Sequence, residues 1–182
     1  KGVGRPPDPH RAHRHRWRDG LFPSTYRVKW DIVGEPKVSI LIPNKDHTED
    51  LEKCLHSIWT KTEWEHFEVI VVENNSTDPA TFAYYKKAQQ RYDGLRVVTY
   101  PKKGFNFSGI NNFGRKYATG AYLLLLNNDV EVRSGEWLTE LLRQCAHPGG
   151  AGSVRCHALL PGRDHPARGR HYRAGGLRGA QP

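Results

Sequence analysis

The sequence predicts an α/β fold in which a mostly parallel sheet is covered by helices on both faces. From about residue 36 onward, apolar runs of strand length alternate with amphipathic stretches of helix length. Polar side chains directly follow most of these runs. The last run, four leucines, ends abruptly in Asn127, Asn128 and Asp129. A buried parallel strand that reaches the ligand-binding edge of a sheet is expected to end in this way.

Four strands are predicted, at residues 38–42, 67–72, 95–100 and 121–126. Each is followed by a stretch with helical periodicity, which indicates four successive βα units. The predicted N-caps of the first three helices are Asp46 or Thr48, Asp78 and Ser108, and Ser134 is predicted to open the fourth helix. Asp78 is followed by Pro79, a favoured first helical residue, and that helix is predicted to reach Tyr92. The third helix is predicted to reach Ala118.

Amides and carboxylates follow three of the four predicted strands. They lie at residues 43–46, 73–78 and 127–129, and Lys102 and Lys103 follow the remaining strand. Each segment taken alone is also explained as an ordinary turn rich in Asn and Asp. Because the carboxyl ends of parallel strands share one edge, the segments together predict a site for a nucleotide and a hard divalent cation.

Residues 37–150 resemble the family 2 glycosyltransferases with the GT-A fold, which is Rossmann-like, and especially their bacterial rhamnosyltransferase-like branch. The resemblance rests on VSILIPNKD at 38–46, EVIVVENNSTD at 68–78 and GFNFSGINNFGRKYATGAYLLLLNNDVEV at 104–132. The family's usual motifs at the last two places are VVDDGSTD and Asp-x-Asp. The resemblance implies that residues 37–150 are the nucleotide-sugar-binding half of a GT-A domain. The implied reaction transfers a sugar from a nucleotide diphosphate sugar to an acceptor hydroxyl in cell-surface polysaccharide synthesis.

The resemblance also implies a role for each matching residue. The implied nucleotide-sugar-binding residues are Pro43, Asn44, Glu73, Asn75, Ser76, Asn112 and Asn128. Asp129 matches the last aspartate of the metal motif and is expected to coordinate Mg²⁺ or Mn²⁺ on the diphosphate. Asn127 and Glu131 are further candidate metal ligands.

The sequence departs from the family pattern at two of these positions. Asn127 replaces the first acid of the metal motif, so the metal is expected to rest on a single carboxylate. Glu73 is one methylene longer than the usual aspartate at the base or ribose contact. No general base is identified, since Asp164 is the only acid after residue 150. We therefore expect the chain as written to catalyse no transfer, and the site for a glycan or lipid-linked acceptor to be missing.

The formal charge of +9 is concentrated at the two ends of the chain. Residues 1–20 hold six Lys and Arg against two Asp, and residues 151–182 hold six Arg against one Asp. Residues 21–150 hold sixteen basic and sixteen acidic residues. The sequence therefore predicts a disordered basic head at 1–20, an irregular lead-in at 21–36 and a disordered Arg/Gly-rich tail at 151–182.

The composition of the tail favours a shift of the reading frame after about residue 150. Residues 154–176 read one nucleotide later permit SGAMLYYPDGTIQHAGVIIGLGG, which resembles the continuation of this glycosyltransferase branch, including its QHAG block. The same shift at residues 1–20 permits a sequence with a helix-like pattern that is less diagnostic of the family. The tail is thus interpreted as out of frame and the chain as truncated. A shifted reading frame is an alternative interpretation of the head.

Two other classes of function share features with this sequence. A Rossmann-type dehydrogenase is opposed by the absence of G-x-G-x-x-G after the first strand. A non-enzymatic nucleotide-binding or basic nucleic-acid-binding protein is the remaining alternative, and the neutral middle opposes nucleic acid as a partner. Three cysteines without a C-x-x-C pair and no apolar run of about 20 residues predict a cytoplasmic protein without a transmembrane segment. Attachment to the inner face of the membrane stays open.

Overall fold

The computed structural model describes residues 15–19 and 26–146 of the 182-residue chain. Two antiparallel strands come first, β1 (His15–Asp19) and β2 (Tyr26–Trp30). They are followed by four parallel strands, β3 (Val38–Asn44), β4 (Phe67–Glu73), β5 (Leu95–Thr99) and β6 (Tyr122–Leu125). The helices are α1 (Thr48–Lys61), α2 (Pro79–Arg91), α3 (Phe107–Arg115) and α4 (Trp137–Cys145).

The parallel strands form one sheet in the order β5-β4-β3-β6. Helices α1, α2 and α3 each connect one parallel strand to the next, and α4 follows β6. All four strands therefore end at the same edge. The direction in which strands are added reverses between β3 and β6. In open α/β sheets the crevice at such a reversal is where ligands bind. The predicted parallel α/β architecture is confirmed.

Side chains alternate between the two faces of the sheet and bury a separate core on each. One core contains Ile40 and Ile42 of β3 together with Leu51, Leu55 and Leu138 from helices α1 and α4. On the opposite face, Leu41 and Val72 pack against Ile110 of α3. Helices thus cover both faces, as the sequence predicts.

The predicted N-cap of α2 is confirmed, but neither Asp46 nor Thr48 caps α1, which begins at Thr48. Asp78 accepts a hydrogen bond from the amide of Ala80 at 2.9 Å and caps α2 ahead of Pro79. The N-cap of α1 is His47, which makes no side-chain capping bond. Asp46 does not cap α1 because its carboxylate accepts from backbone amides in the neighbouring loop. The Thr48 hydroxyl is hydrogen-bonded to the hydroxyl of Thr81 at 2.9 Å instead.

The predicted starts of α3 and α4 are each wrong by two residues. Asn106 caps α3, because its side-chain oxygen accepts from the amide of Gly109 at 2.8 Å, and Ser108 lies inside the helix. The helix ends at Arg115 rather than at Ala118. Glu136 precedes α4, while the Ser134 carbonyl accepts from the amide of Trp137 at 3.2 Å in the preceding turn.

The hairpin of β1 and β2 corrects the prediction for residues 1–20 and 21–36, which assigned no regular structure to them. In β2, aromatic and aliphatic residues alternate with basic ones, and this period of two marks a strand despite the high charge. Lys29 of β2 lies 3.3 Å from Glu136, the N-cap residue of α4, and 3.4 Å from Glu140 in the first turn of α4. The predictions for residues 1–14, 20–25 and 151–182 lie outside the described residues. No helix within the described ranges is long and apolar enough to cross a membrane.

Candidate functional site

The ends of β3 and β4 and the turn after β6 meet at the carboxyl edge of the sheet. The amide of Asn74 donates to the carbonyl of Asn44 at 2.8 Å, which joins the first two ends. The Asn128 side-chain amide donates to the side-chain oxygen of Asn44 at 2.7 Å, which joins the third. The structure therefore brings together amide side chains that are more than 80 residues apart, as the sequence predicts for this edge.

Glu73 lies at the end of β4 and is only 2% exposed. Its carboxylate accepts from the amide of Ser76 at 2.6 Å, from the hydroxyl of Ser76, and from the hydroxyl of Tyr85 at 2.7 Å. These three bonds offset the cost of burying the polar group. Both carboxylate oxygens are thus bound by protein donors, and little of the side chain is left accessible to a base or ribose.

The loops after β3 and β4 are held in unusual backbone conformations. Asp46, His47 and Asn75 have φ of 53°, 46° and 59°, in the left-handed region that disfavours residues other than glycine. Non-glycine residues in this region cluster at functional sites, where surrounding contacts hold them. At Asn75 the contact is a hydrogen bond from its side-chain amide to the carbonyl of Lys102 at 2.9 Å, which ties the loop after β4 to the loop after β5.

Asp46 clamps the loop after β4 to the loop after β3. One of its carboxylate oxygens accepts from the amides of Thr77 and Asp78 at 2.9 and 3.0 Å. Its own amide donates to the Ser76 hydroxyl oxygen at 2.8 Å. The hydrogen bonds from the amides of Asp78 and Thr77 hold the pKa of Asp46 below its usual value, so the clamp is charged at neutral pH.

Asp129 is exposed in the turn that follows β6, and Asn127 and Asn128 beside it are half-buried. Below this turn, the Cys54 thiol of α1 donates to the carbonyl of Asn127 at 3.8 Å. Burial, together with the negative charge of Asp129, raises the pKa of Cys54 to about 12. Cys54 is therefore a protonated packing group, and Asp129 is the carboxylate that the turn presents at this edge.

The remaining predicted residues are placed differently. Pro43 is half-buried at the end of β3, and Asn112 is exposed on α3. Glu131, a candidate metal ligand, instead pairs with Lys61 at 3.0 Å, and this bond and charge lower the pKa of Glu131. Within the described residues, no group of three or more His, Cys, Asp or Glu side chains is arranged to hold a metal ion.

Tyr85 is the site residue that the sequence analysis missed. It lies on α2, is 5% exposed, and hydrogen-bonds both Asn44 and Glu73. Helical periodicity assigns such a tyrosine to the core, and Tyr85 does lie in the same core as Ile40 and Ile42. The available signal was its hydroxyl, since a buried tyrosine hydroxyl usually has a polar partner.

Comparison with known proteins fits this geometry. The profile of glycosyl transferase family 2 matches residues 39–169, which is more than half of the chain. The chain belongs to glycosyl transferase family 2. The matched residues extend past residue 150 into the tail, where a shifted frame stays a prediction.

Two curated relatives illustrate how the chain relates to longer proteins. It is 42% identical over 139 residues to the O-antigen biosynthesis protein RfbC of Myxococcus xanthus, covering 76% of this chain and 11% of that protein. It is 29% identical over 116 residues to the GalNAc(5)-diNAcBac-PP-undecaprenol beta-1,3-glucosyltransferase of Campylobacter jejuni, covering 64% of this chain and 36% of that protein. The chain thus spans roughly a tenth to a third of the length of these relatives.

Solved structures share the fold. The mannosyltransferase PcManGT of Pyrobaculum calidifontis, in complex with GDP-Man and Mn²⁺, has a TM-score of 0.56 at 20% identity over 65% of this chain and 36% of its own. S. aureus TarS 1-349 in complex with UDP-GlcNAc has a TM-score of 0.55 at 22% identity over 72% of this chain and 37% of its own. The GT-A fold expected from the sequence is confirmed.

Proposed function

We propose that this chain is the donor-binding region of a glycosyltransferase that uses a nucleotide diphosphate sugar. The observation that carries the proposal is the convergence of Asn44, Ser76, Asn128 and Asp129 at the strand-order reversal of a family 2 glycosyltransferase domain. Ligands bind at this place in open α/β sheets. Family membership indicates the class of ligand. The exposed carboxylate of Asp129 and the amides beside it supply polar groups suited to that ligand.

The nucleotide occupies the edge formed by the loops after β3 and β4. Pro43, Asn75 and Ser76 are partly accessible there, and Asn112 on α3 is exposed. Asn44 and Glu73 stand behind this edge, each 2% exposed. Lys102 and Lys103 are exposed in the loop joined to Asn75 and carry positive charge suited to phosphate.

The groups at the turn after β6 fit a hard divalent cation. Mg²⁺ in substrate-bound sites is commonly held by one or two carboxylates together with substrate phosphates. Asp129 supplies one exposed carboxylate, and Asn128 commits its amide nitrogen to Asn44, which leaves its carbonyl oxygen available to a cation. The side-chain oxygen of Asn127 is an additional candidate ligand for the cation. When bound, the cation supplies positive charge against the leaving diphosphate.

The substrate class follows from chemistry shared with the relatives. Solved structures of the same fold contain GDP-Man or UDP-GlcNAc, and one contains Mn²⁺. One curated relative is named for O-antigen biosynthesis and another for a polyprenol-linked acceptor. We therefore propose cell-surface polysaccharide synthesis, with a glycan or lipid-linked acceptor, at the cytoplasmic face of the membrane.

Calorimetric titration with UDP, dTDP, GDP and NAD⁺, each with and without Mn²⁺, tests the proposal. At least one nucleoside diphosphate is expected to bind, and Mn²⁺ is expected to tighten its binding because the cation bridges carboxylate and phosphate oxygens. NAD⁺ is the control for a general dinucleotide site. Binding of NAD⁺ alone, or of no nucleoside diphosphate, would contradict the proposal.

A further inference from the structure

A buried chain of hydrogen bonds runs beneath the candidate site. It consists of Asn44, Tyr85 and Glu73, which are 2%, 5% and 2% exposed, and we call these three residues the relay. The Asn44 amide nitrogen lies 2.8 Å from the Tyr85 hydroxyl, which lies 2.7 Å from a carboxylate oxygen of Glu73. Because all three polar groups are withdrawn from water, losing any one partner leaves a buried group unsatisfied.

The donors and acceptors allow only one direction along the relay. The carboxylate of Glu73 can only accept, so the single hydrogen of the Tyr85 hydroxyl points to it. Burial raises the pKa of Tyr85, which keeps this hydrogen in place at neutral pH. The hydroxyl oxygen therefore accepts from Asn44. The Asn44 nitrogen also donates to the Asp46 carbonyl at 2.9 Å, which fixes the orientation of the amide and turns its oxygen towards Asn128.

The two ends of the relay reach two different loops. We call residues 74–78 the nucleotide loop and residues 127–129 the metal loop. At one end, Glu73 accepts from both the amide and the hydroxyl of Ser76 in the nucleotide loop. At the other end, Asn44 accepts from Asn128 in the metal loop at 2.7 Å. The relay thus connects the loops through side chains that are themselves held in the core.

We propose that the relay makes Tyr85 and Asn44 positioning residues, which hold the nucleotide loop and the metal loop in one mutual arrangement and so couple nucleotide binding to metal binding. This inference rests on the proposed function. It assigns Glu73 and Asn44 to orienting Ser76 and Asn128 rather than to touching the donor. A ligand that orders one loop then lowers the cost of ordering the other, and the effect is reciprocal.

Tyr85→Phe and Tyr84→Phe form a matched pair of variants. Both remove one hydroxyl from neighbouring positions on α2 and keep the ring. The Tyr84 hydroxyl is buried without a hydrogen-bond partner among the described residues, so its removal is expected to be neutral or slightly stabilising. Removal of the Tyr85 hydroxyl breaks both inner bonds of the relay. Asn128→Ala cuts the relay at its half-buried end and serves if Tyr85→Phe does not fold.

The first readout needs no ligand. In amide NMR spectra of the free protein, Tyr85→Phe is expected to shift the resonances of both the nucleotide loop and the metal loop, and to speed hydrogen exchange at Ser76. Tyr84→Phe is expected to shift neither loop. Asn128→Ala is expected to shift the Ser76 amide, although Ser76 belongs to the other loop. If Tyr85→Phe and Tyr84→Phe have the same effect on the amide resonances of the two loops, the relay does not join the loops and the inference is overturned.

The second readout is the factor by which Mn²⁺ tightens binding of the nucleoside diphosphate. Tyr85→Phe is expected to reduce this factor at least about fivefold, the lower end of usual coupling between sites. Tyr84→Phe is expected to leave the factor unchanged. An unchanged factor in Tyr85→Phe would overturn the coupling even if the amide resonances shift. Absence of nucleotide binding by the unmodified chain would refute the proposed function, while the amide spectra would still decide whether the relay joins the loops.

Discussion

Replacing Glu68 by alanine is expected to lower the free energy of unfolding by about 3 kcal/mol, since removing one partner of a buried ionic network leaves the others unsatisfied. Glu68 is 4% exposed. It accepts from the Ser39 hydroxyl at 2.6 Å and from the amide and hydroxyl of Thr119 at 2.7 and 2.9 Å. Lys37 and Arg96 lie 3.2 and 2.7 Å from it. These contacts hold the connection from α3 to β6, and thus the strand that carries the metal loop.

Urea unfolding measures this effect, with Glu65→Ala as the control. Glu65 is exposed and lies three residues before Glu68, so its loss is expected to change stability by no more than about 0.5 kcal/mol. Equal stability of the two variants would show that the Glu68 network contributes little.

The same network predicts how stability depends on pH. Burial acts to raise the pKa of Glu68, but hydrogen bonds from Ser39, Thr119 and Lys37 outweigh it and lower the pKa to about 2. Because the folded-state value lies below the ordinary one of 4.5, the stabilisation is present above pH 4.5 and is lost as the pH falls towards 2. Glu68→Gln is expected to show a shallower loss of stability across this interval.

Replacing Asp129 by alanine is expected to abolish the Mn²⁺-dependent part of nucleotide binding. Asp129 supplies the exposed carboxylate of the metal loop, and Asn127 and Asn128 beside it are neutral. Loss of an outer-shell partner of a metal ligand typically lowers metal affinity about 10- to 100-fold. Loss of Asp129 itself is expected to lower metal affinity by at least this factor. Because Asp129 is exposed, the fold is expected to tolerate the change.

Glu131→Ala is the matched control, since it removes a carboxylate two residues away that pairs with Lys61. In Glu131→Ala, the Mn²⁺ dependence of nucleotide binding is expected to equal that of the unmodified chain. Retention of metal-dependent binding by Asp129→Ala, with loss in Glu131→Ala, would move the metal site to Glu131.

The sequence predicts those parts of the fold that depend on local patterns. The four parallel strands follow from their apolar runs, and Asp78 with Pro79 marks the start of α2. The convergence of Asn44 and Asn128 follows from topology, because parallel strands end at a common edge. In each case the pattern and the tertiary structure agree.

The predictions fail where a long-range partner decides the structure. Asp46 is an adequate cap for α1 by residue type, but its carboxylate binds amides about 30 residues later. The contact of Glu73 with a ligand stays a prediction, but its hydrogen bond to Tyr85 of α2 could not be predicted from the strand that carries Glu73. Glu131 likewise stays a candidate metal ligand, and its pairing with Lys61 of α1 was not predicted. Such partners have no signature in the local sequence.

Paramagnetic broadening by Mn²⁺ in amide NMR spectra tests most directly whether the metal loop holds the cation against a bound nucleotide. With a nucleoside diphosphate present, trace Mn²⁺ is expected to broaden the amides of residues 127–129 first, and Asp129→Ala is expected to remove the effect. Broadening centred instead on the surface cleft between α1 and α2, which Glu49, Glu52 and His56 line, would contradict the account, as would broadening that Asp129→Ala leaves unchanged.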